Sequence, residues 1–293
     1  MLTKELIAQV RRLEIQTRKA VSETFAGSYH SVFKGTGMAF QEVRPYQAGD
    51  DVRAIDWNVS ARMQDPYVKV FTEERERTAM LLLDLSRSQE FGTVEKTKGR
   101  IAAELAALLA FSAIRNDDRV GAILFSDRIE AFVPPKKGKK HGMALIAKIL
   151  TTRPEGRGTD IEGALHHLGR VVKRRAIVFL LSDFLAPDCE SALRVAARRH
   201  ELVPVVLRDP FEEEIPPLGL ATVEDPETGE RMEIDLASER TRRRYQALLA
   251  SQLEARRRLF RRLDVEAVEV RCGEDPVRPL AAYFSAQRRR RAR

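Results

Sequence analysis

Cysteine is scarce in this chain of 293 residues, since only Cys189 and Cys272 occur, without a CxxC pair or a neighbouring cluster of metal ligands. This scarcity argues against a disulfide framework and against a zinc site. Long apolar runs are missing as well, because segments such as 176–181 are far shorter than the roughly 20 residues that cross a bilayer. Residues 1–21 mix basic and isolated apolar side chains and lack the continuous apolar segment of a signal peptide. We therefore expect a cytoplasmic protein without a membrane span.

Two catalytic signatures are also absent. The five histidines show no HExxH or other metal-ligand spacing. No GxxxxGK(S/T) loop occurs, so P-loop nucleotide hydrolysis is excluded and ATP-driven work would have to come from a partner. What the chain has instead is 43% hydrophobic and 32% charged residues, the composition of a globular protein.

The net charge of +8 is concentrated at one end of the chain. Residues 231–293 hold 17 arginines and 9 acidic residues, which accounts for the whole excess. The clusters 242–244 and 256–258 are typical of solvated helix faces, the cluster 288–291 of a helix C-terminus, and the segment 136–141 of a solvated loop. Nucleic-acid binding through the Arg-rich C-terminus is the alternative, but no aromatic residues interleave with these arginines to stack on bases.

Four continuous runs rich in Val, Ile and Leu are typical of strands buried on both faces. They occupy residues 78–83, 120–125, 176–181 and 202–207. Helical periodicities lie between them, and this order predicts an α/β fold with a mostly parallel sheet flanked by helices. An antiparallel edge strand at 129–133 and a last strand at 265–270 bring the predicted sheet to about six strands.

Two other parts of the chain lack this alternation of apolar runs and helical segments. Residues 221–224 and 231–234 flank a turn, which predicts a hairpin inserted at about 210–237. Near the N-terminus, an amphipathic helix is followed by glycines among short alternating stretches. We expect residues 1–75 to form a small β-rich N-terminal extension and residues 76–293 to form the α/β domain.

Three oxygen-bearing side chains alternate at the end of the first buried strand: Asp84, Ser86 and Ser88. Asp183 follows another predicted strand, and ligands of open parallel sheets bind beyond the carboxyl ends of strands. Thr159 adds a hydroxyl from a third loop. A set of oxygen donors with two carboxylates suits Mg²⁺ or Mn²⁺ and does not suit zinc or copper.

This set resembles the metal-ion-dependent adhesion site of the von Willebrand factor A domain, in which a DxSxS motif, a threonine and an aspartate follow in the same chain order. The resemblance covers roughly residues 76–293 and implies a Rossmann-like sheet. It also implies that the hydroxyls bind the ion directly and the aspartates directly or through water. The resemblance further implies that one coordination position stays open for an acidic side chain of a partner protein. The implied metal ligands are Asp84, Ser86, Ser88, Thr159 and Asp183.

A second resemblance lies upstream. Residues 44–46, 49–51, 53, 55–57 and 60–62 are similar to the signature of a bacterial family, domain-of-unknown-function family 58. Its members carry such an A-like domain and are often associated with MoxR-type AAA+ ATPases, so the resemblance implies an ATPase of this type as partner. The density of Arg and Asp makes the signature a candidate docking surface. Its residues are Arg44, Tyr46, Asp50, Asp51, Arg53, Asp56, Trp57 and Arg62.

Each of these motifs also has a purely structural interpretation. Residues 159–162 match a capping box in which Thr159 would bond the first amides of a helix. Asp127 and Asp209 are expected to accept loop amides at strand ends. Tyr46 and Trp57 are expected to pack on the main sheet, with docking as the alternative.

The sequence therefore predicts a non-catalytic, metal-dependent protein-interaction protein, an adaptor or assembly factor that acts with a MoxR-type AAA+ ATPase. A rival of another class is a metal-dependent phosphohydrolase, since a hard cation beside carboxylates also binds phosphate and activates water. For that rival, Asp127 is the conceivable general base.

Overall fold

The computed structural model describes residues 8–15, 38–73, 77–185 and 189–291. The chain divides into two compact units, of which one is Phe33–Arg77 and the other contains Met1–Val32 and Thr78–Arg293. Residues 8–15 form a helix, α1, with Val10 and Leu13 buried. The rest of the predicted N-terminal helix, with the glycines that follow it, lies outside the described residues.

The smaller unit is built on a two-stranded antiparallel sheet of β1 (Met38–Pro45) and β2 (Tyr67–Glu73). Between the strands lie a 3₁₀ turn, Val52–Ala54, and a short helix, α2 (Trp57–Met63). Asp51 and Asp56 cap these two helical segments through their carboxylates, which explains why each begins where it does.

The larger unit contains a six-stranded sheet in the order β10-β7-β6-β3-β4-β5, parallel except for the edge strand β5. Its strands are β3 (Thr78–Asp84), β4 (Arg119–Phe125), β5 (Ile129–Lys136), β6 (Ile177–Ser182), β7 (Glu201–Arg208) and β10 (Val268–Arg271). Every residue of β6 is buried, as the continuous apolar runs predicted. The predicted α/β class, with a mostly parallel sheet of about six strands flanked by helices, is confirmed.

Helices cover this sheet and connect its strands. They are α3 (Lys98–Arg115), α4 (Lys139–Thr151), α5 (Ile161–Val171), α6 (Glu190–Arg199), α7 (Pro210–Glu213), α8 (Glu239–Arg262) and α9 (Val277–Arg291). In the parts of the chain that the structure covers, no helix is both long and apolar enough to span a bilayer.

An antiparallel hairpin lies between α7 and α8 in the sequence. Its strands are β8 (Leu220–Glu224) and β9 (Arg231–Asp235), in register from Leu220 opposite Asp235 to Glu224 opposite Arg231. The hairpin that the sequence predicted is thus present.

Candidate metal site at the strand ends

The first strand-end carboxylate, Asp84, is completely buried at the last position of β3. Its Oδ1 accepts a hydrogen bond of 2.9 Å from the backbone amide of Ser86, and its Oδ2 accepts one of 2.6 Å from the hydroxyl of Ser182. Ser182 ends β6, the neighbour of β3 in the sheet. The parallel pairing of these strands therefore brings Asp84 next to the loop that carries Asp183.

The hydroxyls of the DxSxS segment complete a connection between the two aspartates. The Oγ atoms of Ser86 and Ser88 are 3.0 Å apart, and Ser88 donates a hydrogen bond of 2.9 Å to Oδ2 of Asp183. All four side chains are at least nine-tenths buried. The structure thus brings together four of the five residues that the sequence singled out.

Thr159, the fifth residue, is held close by through its loop. The carbonyl of Arg157 accepts a hydrogen bond of 3.0 Å from the amide of Arg87, within the DxSxS segment. The hydroxyl of Thr159 is half-buried and donates a bond of 2.8 Å to Oε1 of Glu227, at the tip of the β8–β9 hairpin. The loop therefore lies against the segment 84–88, while the Thr159 hydroxyl bonds a carboxylate that the sequence did not indicate.

The capping interpretation of Thr159 is wrong. The N-cap of α5 is Asp160, whose Oδ1 accepts a hydrogen bond of 2.8 Å from the amide of Gly163. One aspartate satisfies a free amide of the first turn, so the hydroxyl of the preceding threonine is available for other contacts.

A buried lysine that sequence reasoning missed lies beside the second aspartate. Lys98 begins α3, is 0% exposed, and places its Nζ 2.8 Å from Oδ2 of Asp183 and 2.5 Å from Oε1 of Glu212. Burial opposes its charge, but the two carboxylates outweigh this effect and raise the pKa of Lys98 above its ordinary value. Lys98 is therefore a fixed internal cation at the edge of the site.

Arg256 from α8 also reaches this region and donates a hydrogen bond of 3.1 Å to the backbone carbonyl of Asp183. The prediction that residues 256–258 face solvent is wrong for Arg256, which is only 9% exposed. An arginine cluster alone does not reveal that one of its members is packed against a loop of the sheet.

The two aspartates differ in their electrostatic surroundings. Lys98 balances Asp183, whereas Asp84 is held by the hydroxyl of Ser182 and the amide of Ser86. Burial raises the pKa of Asp84 to about 6; the charge of Asp183 acts in the same direction, and the hydrogen bonds from Ser182 and Ser86 oppose it. Asp84 is thus a buried carboxylate whose ionised form a nearby cation would stabilise.

The donor set fits a hard divalent cation. The hydroxyls of Ser86 and Ser88 and the carboxylate of Asp183 form one hydrogen-bonded series of oxygens, which the amide of Ser86 joins to Asp84. In an octahedron with Mg²⁺–oxygen bonds of 2.0–2.1 Å, neighbouring ligands are about 2.9 Å apart. The spacings of 2.9 and 3.0 Å along this series are close to that value. Within the described residues, no cluster of three or more His, Cys, Asp or Glu side chains is arranged to hold a metal. A metal at this place would therefore depend on the hydroxyl groups.

The other strand-end aspartates act as the structural interpretation predicted. Oδ2 of Asp127 accepts loop amides from Arg157 at 3.1 Å and Gly158 at 3.4 Å. Asp209 accepts the amide of Thr93 and caps α7. The hydrogen bond from Arg128 and those from the loop amides lower the pKa of Asp127, which makes this residue a poor general base.

In the smaller unit, the signature residues form their own polar contacts. Arg44 makes two parallel hydrogen bonds, of 2.7 and 2.8 Å, with the carboxylate of Asp50. Asp56 caps α2 and pairs with Lys69 at 3.3 Å. Several of these acidic and basic side chains therefore have structural roles within the unit.

The aromatic members of the signature differ from each other. Tyr46 is half-buried, and its amide donates to the carbonyl of Pro66 at 2.8 Å. Trp57 is 70% exposed, and its expected packing on the main sheet stays a prediction. The side chains of Asp51, Arg53 and Arg62 are exposed as well. The signature thus presents one large aromatic ring and several charges to solvent.

Comparison with known proteins identifies relatives of this chain. The family described as "Protein of unknown function DUF58" matches residues 42–255. An uncharacterized protein of Mycobacterium bovis is 32% identical over 228 residues, which are 77% of this chain and 72% of that protein. A Paracoccus denitrificans protein, described as an uncharacterized protein in the moxR 3' region, is 38% identical over 100 residues, 33% of this chain and 94% of that protein.

Solved structures that align with this chain share less sequence identity with it than these relatives do. An aerotolerance-related membrane protein from Bacteroides fragilis aligns with a TM-score of 0.47 and 15% identity, over 73% of this chain and 99% of that one. The VWA domain of SpRpn10 aligns with a TM-score of 0.38 and 12% identity, over 71% of this chain and 94% of that one. Because the family match at 42–255 covers well over half of the chain, including the signature and the strand-end residues, the chain belongs to the DUF58 family of proteins of unknown function.

Proposed function

We propose that this chain is a non-catalytic interaction protein that binds one Mg²⁺ or Mn²⁺ ion beyond the carboxyl ends of β3 and β6. The observation that supports this most is the buried hydrogen-bonded connection from Asp84, through the amide of Ser86 and the hydroxyls of Ser86 and Ser88, to Asp183. Thr159, from the adjoining loop, would complete the protein ligands. Bound there, the ion would supply a Lewis-acidic position for a carboxylate of a partner protein.

Each of these residues would have its own role in binding the ion. The hydroxyls of Ser86 and Ser88 would bind the ion, and Asp84 would supply the charge that makes the site selective for cations. Lys98 neutralises part of Asp183, so the net charge offered to a divalent ion is smaller than the two carboxylates alone provide. A modest metal affinity, increased when an acidic partner binds, is the expected consequence.

For the partner, we propose a MoxR-type AAA+ ATPase, with the chain acting as its adaptor or assembly factor. The relative from Paracoccus denitrificans, named by its position in the moxR 3' region, supports this choice. Since the sequence has no P-loop, the nucleotide chemistry would belong to the ATPase. The exposed signature residues around Trp57 would form a second contact surface in the smaller unit.

The decisive experiment measures the melting temperature of the chelator-treated protein with and without Mg²⁺ or Mn²⁺. Ligand at about 10 times its dissociation constant stabilises a protein by about 1.4 kcal/mol, which raises the melting temperature by roughly 3–6 °C for a domain of this size. We expect this increase in the wild type and its loss in Ser86→Ala, which removes one of the hydroxyl ligands.

Ser112→Ala is the matched control, because Ser112 is equally buried but bonds only the carbonyl of Leu108 within α3. This variant should keep the full response to the metal. A wild-type protein that fails to respond, or a Ser86→Ala variant that responds like the wild type, would refute the metal site. ATPase capture that is insensitive to chelator and to Ser86→Ala would refute the metal-mediated contact.

A further inference from the structure

The β8–β9 hairpin is an arm with few buried side chains. No residue of either strand is fully buried, and its apolar members Leu220 and Met232 are 71% and 62% exposed. Within the turn and the residues next to it, 224–230, Glu227 alone is half-buried. An acidic residue that is the least exposed one of an otherwise exposed turn is unusual, because burial disfavours a charged carboxylate.

The turn itself fixes the backbone of Glu227. Oδ1 of Asp225 accepts hydrogen bonds from the amides of Glu227 at 2.8 Å and Thr228 at 3.0 Å. The amide of Gly229 donates a hydrogen bond of 2.8 Å to the carbonyl of Asp225. The φ of Gly229 is +76°, a backbone conformation that favours glycine. The position of Glu227 at the tip of the arm is therefore determined by the turn.

From this position the carboxylate of Glu227 contacts the loop that carries Thr159. Its Oε1 accepts the hydrogen bond of 2.8 Å from the hydroxyl of Thr159. Its Oε2 lies beside Gly158, 3.6 Å from where a β-carbon would stand on that glycine, and the carboxylate of Asp127 borders the same glycine. The Asp127 carboxylate is paired with Arg128 at 2.9 Å, and Glu227 is held at this loop by the hydroxyl of Thr159.

We propose that Glu227 is an intramolecular carboxylate ligand, which moves from its hydrogen bond with Thr159 into the coordination position that the strand-end ion offers to a partner once the ion is bound. The inference rests on the proposed function, since it assigns the open position of the same ion. The observation that carries it is the hydrogen bond of 2.8 Å that the Glu227 carboxylate accepts from Thr159, one of the proposed protein ligands of the ion. The free protein would then have a closed site, and an acidic side chain of a partner would have to displace the arm.

Displacement of the arm is energetically accessible. Segments with few buried apolar contacts open at a lower free energy than the core of a protein. Both strands of the hairpin are largely exposed, so its opening uncovers little apolar surface. The arm would therefore act as an exchangeable internal ligand that delays binding until a suitable carboxylate competes.

The test compares the wild type with Glu227→Gln, which keeps an oxygen for Thr159 but removes the charge. Glu230→Gln is the matched control, because Glu230 belongs to the same hairpin end and is exposed. Titration calorimetry with Mg²⁺ alone gives the affinity, and hydrogen exchange of the amides of residues 225–230, with and without Mg²⁺, reports the closure of the arm.

We expect Glu227→Gln to bind Mg²⁺ about tenfold more weakly than the wild type and Glu230→Gln to bind it normally. Mg²⁺ should slow exchange at the hairpin tip in the wild type and in Glu230→Gln, but not in Glu227→Gln. Equal Mg²⁺ affinities in all three proteins, without slower exchange at the tip, would overturn the internal ligand and leave the proposed metal site intact. If the wild type does not bind Mg²⁺ at all, both proposals fail.

Discussion

At the scale of single residues, Lys98 joins two segments that are far apart along the chain. Its two acidic partners, Asp183 and Glu212, are 85 and 114 positions away along the chain. Lys98 follows an ordinary helix N-cap, Thr97, and no neighbour in the sequence distinguishes it from a solvated lysine. Asp84, Ser86, Ser88 and Asp183, in contrast, were predictable because each lies at or just beyond a strand of strong apolar character.

Replacing Lys98 by methionine tests whether this internal cation holds the site together. The variant leaves Asp183 buried without its positive partner, and breaking a buried pair in this way costs about 3–5 kcal/mol of folding stability. We expect a loss of this size in the free energy of unfolding, measured by urea denaturation without metal.

Lys96→Met provides the comparison at a neighbouring lysine. Lys96 pairs with Glu104 at 2.9 Å, but its side chain is 44% exposed, so its loss should cost less than about 1 kcal/mol. Similar losses for the two variants would show that the pair of Lys98 and Asp183 contributes no more than a surface ion pair.

At the scale of secondary-structure elements, the buried central strands have the clearest signal in the sequence. Continuous apolar runs are an unambiguous signal for central strands, as β3 and β6 show. The helix α6 has a weak apolar signal in the sequence, because only Ala192, Leu193 and Ala196 of its residues are buried and the remaining positions are mainly polar or charged. The last strand, β10, begins at Val268 and not at 265, since the preceding residues form the link from α8.

The start of α5 gives a prediction at this scale. Asp160→Ala removes the side-chain acceptor of the Gly163 amide, and losing such a cap costs about 1 kcal/mol. Thr159→Val keeps the cap and the shape of the side chain, so we expect it to cost less than Asp160→Ala in urea unfolding without metal. The reverse order of stabilities would mean that Thr159 caps the helix after all.

At the scale of the whole molecule, the excess of positive charge does not by itself indicate a nucleic-acid partner. Several arginines of the C-terminal part pair with acidic side chains of the same chain. Examples are Arg261 with Glu254 at 2.8 Å, Arg262 with Glu190 at 2.6 Å and Arg290 with Glu266 at 2.6 Å. These pairs leave the net charge of +8 unchanged, but the fold shows which arginines already have an acidic neighbour. Each of these pairs reduces the charge that would remain for phosphates.

The single tryptophan of the chain allows the proposed second contact surface to be tested in the intact protein. Trp57 is 70% exposed, so in the free protein its fluorescence should be that of a solvated indole and readily quenched by acrylamide. If a MoxR-type ATPase covers the signature surface, its addition should shift this emission to shorter wavelengths and reduce the quenching, since the indole leaves water. A parallel mixture with Trp57→Phe supplies the emission of the ATPase itself, and the difference isolates Trp57.

Adding a chelator then distinguishes a contact through the strand-end ion from a contact through the signature. If the ion at the strand ends and the signature both contact the ATPase, removal of the metal should weaken the complex, measured by sedimentation, and the shift of Trp57 should decrease in proportion to the complex lost. A complex that forms with an unchanged Trp57 emission would rule out docking through the signature and assign the contact to the larger unit. If the complex and the full emission shift of Trp57 both persist in chelator, recognition would instead belong to the smaller unit. The exposed ring and charges around Trp57 would then suffice for binding without the ion.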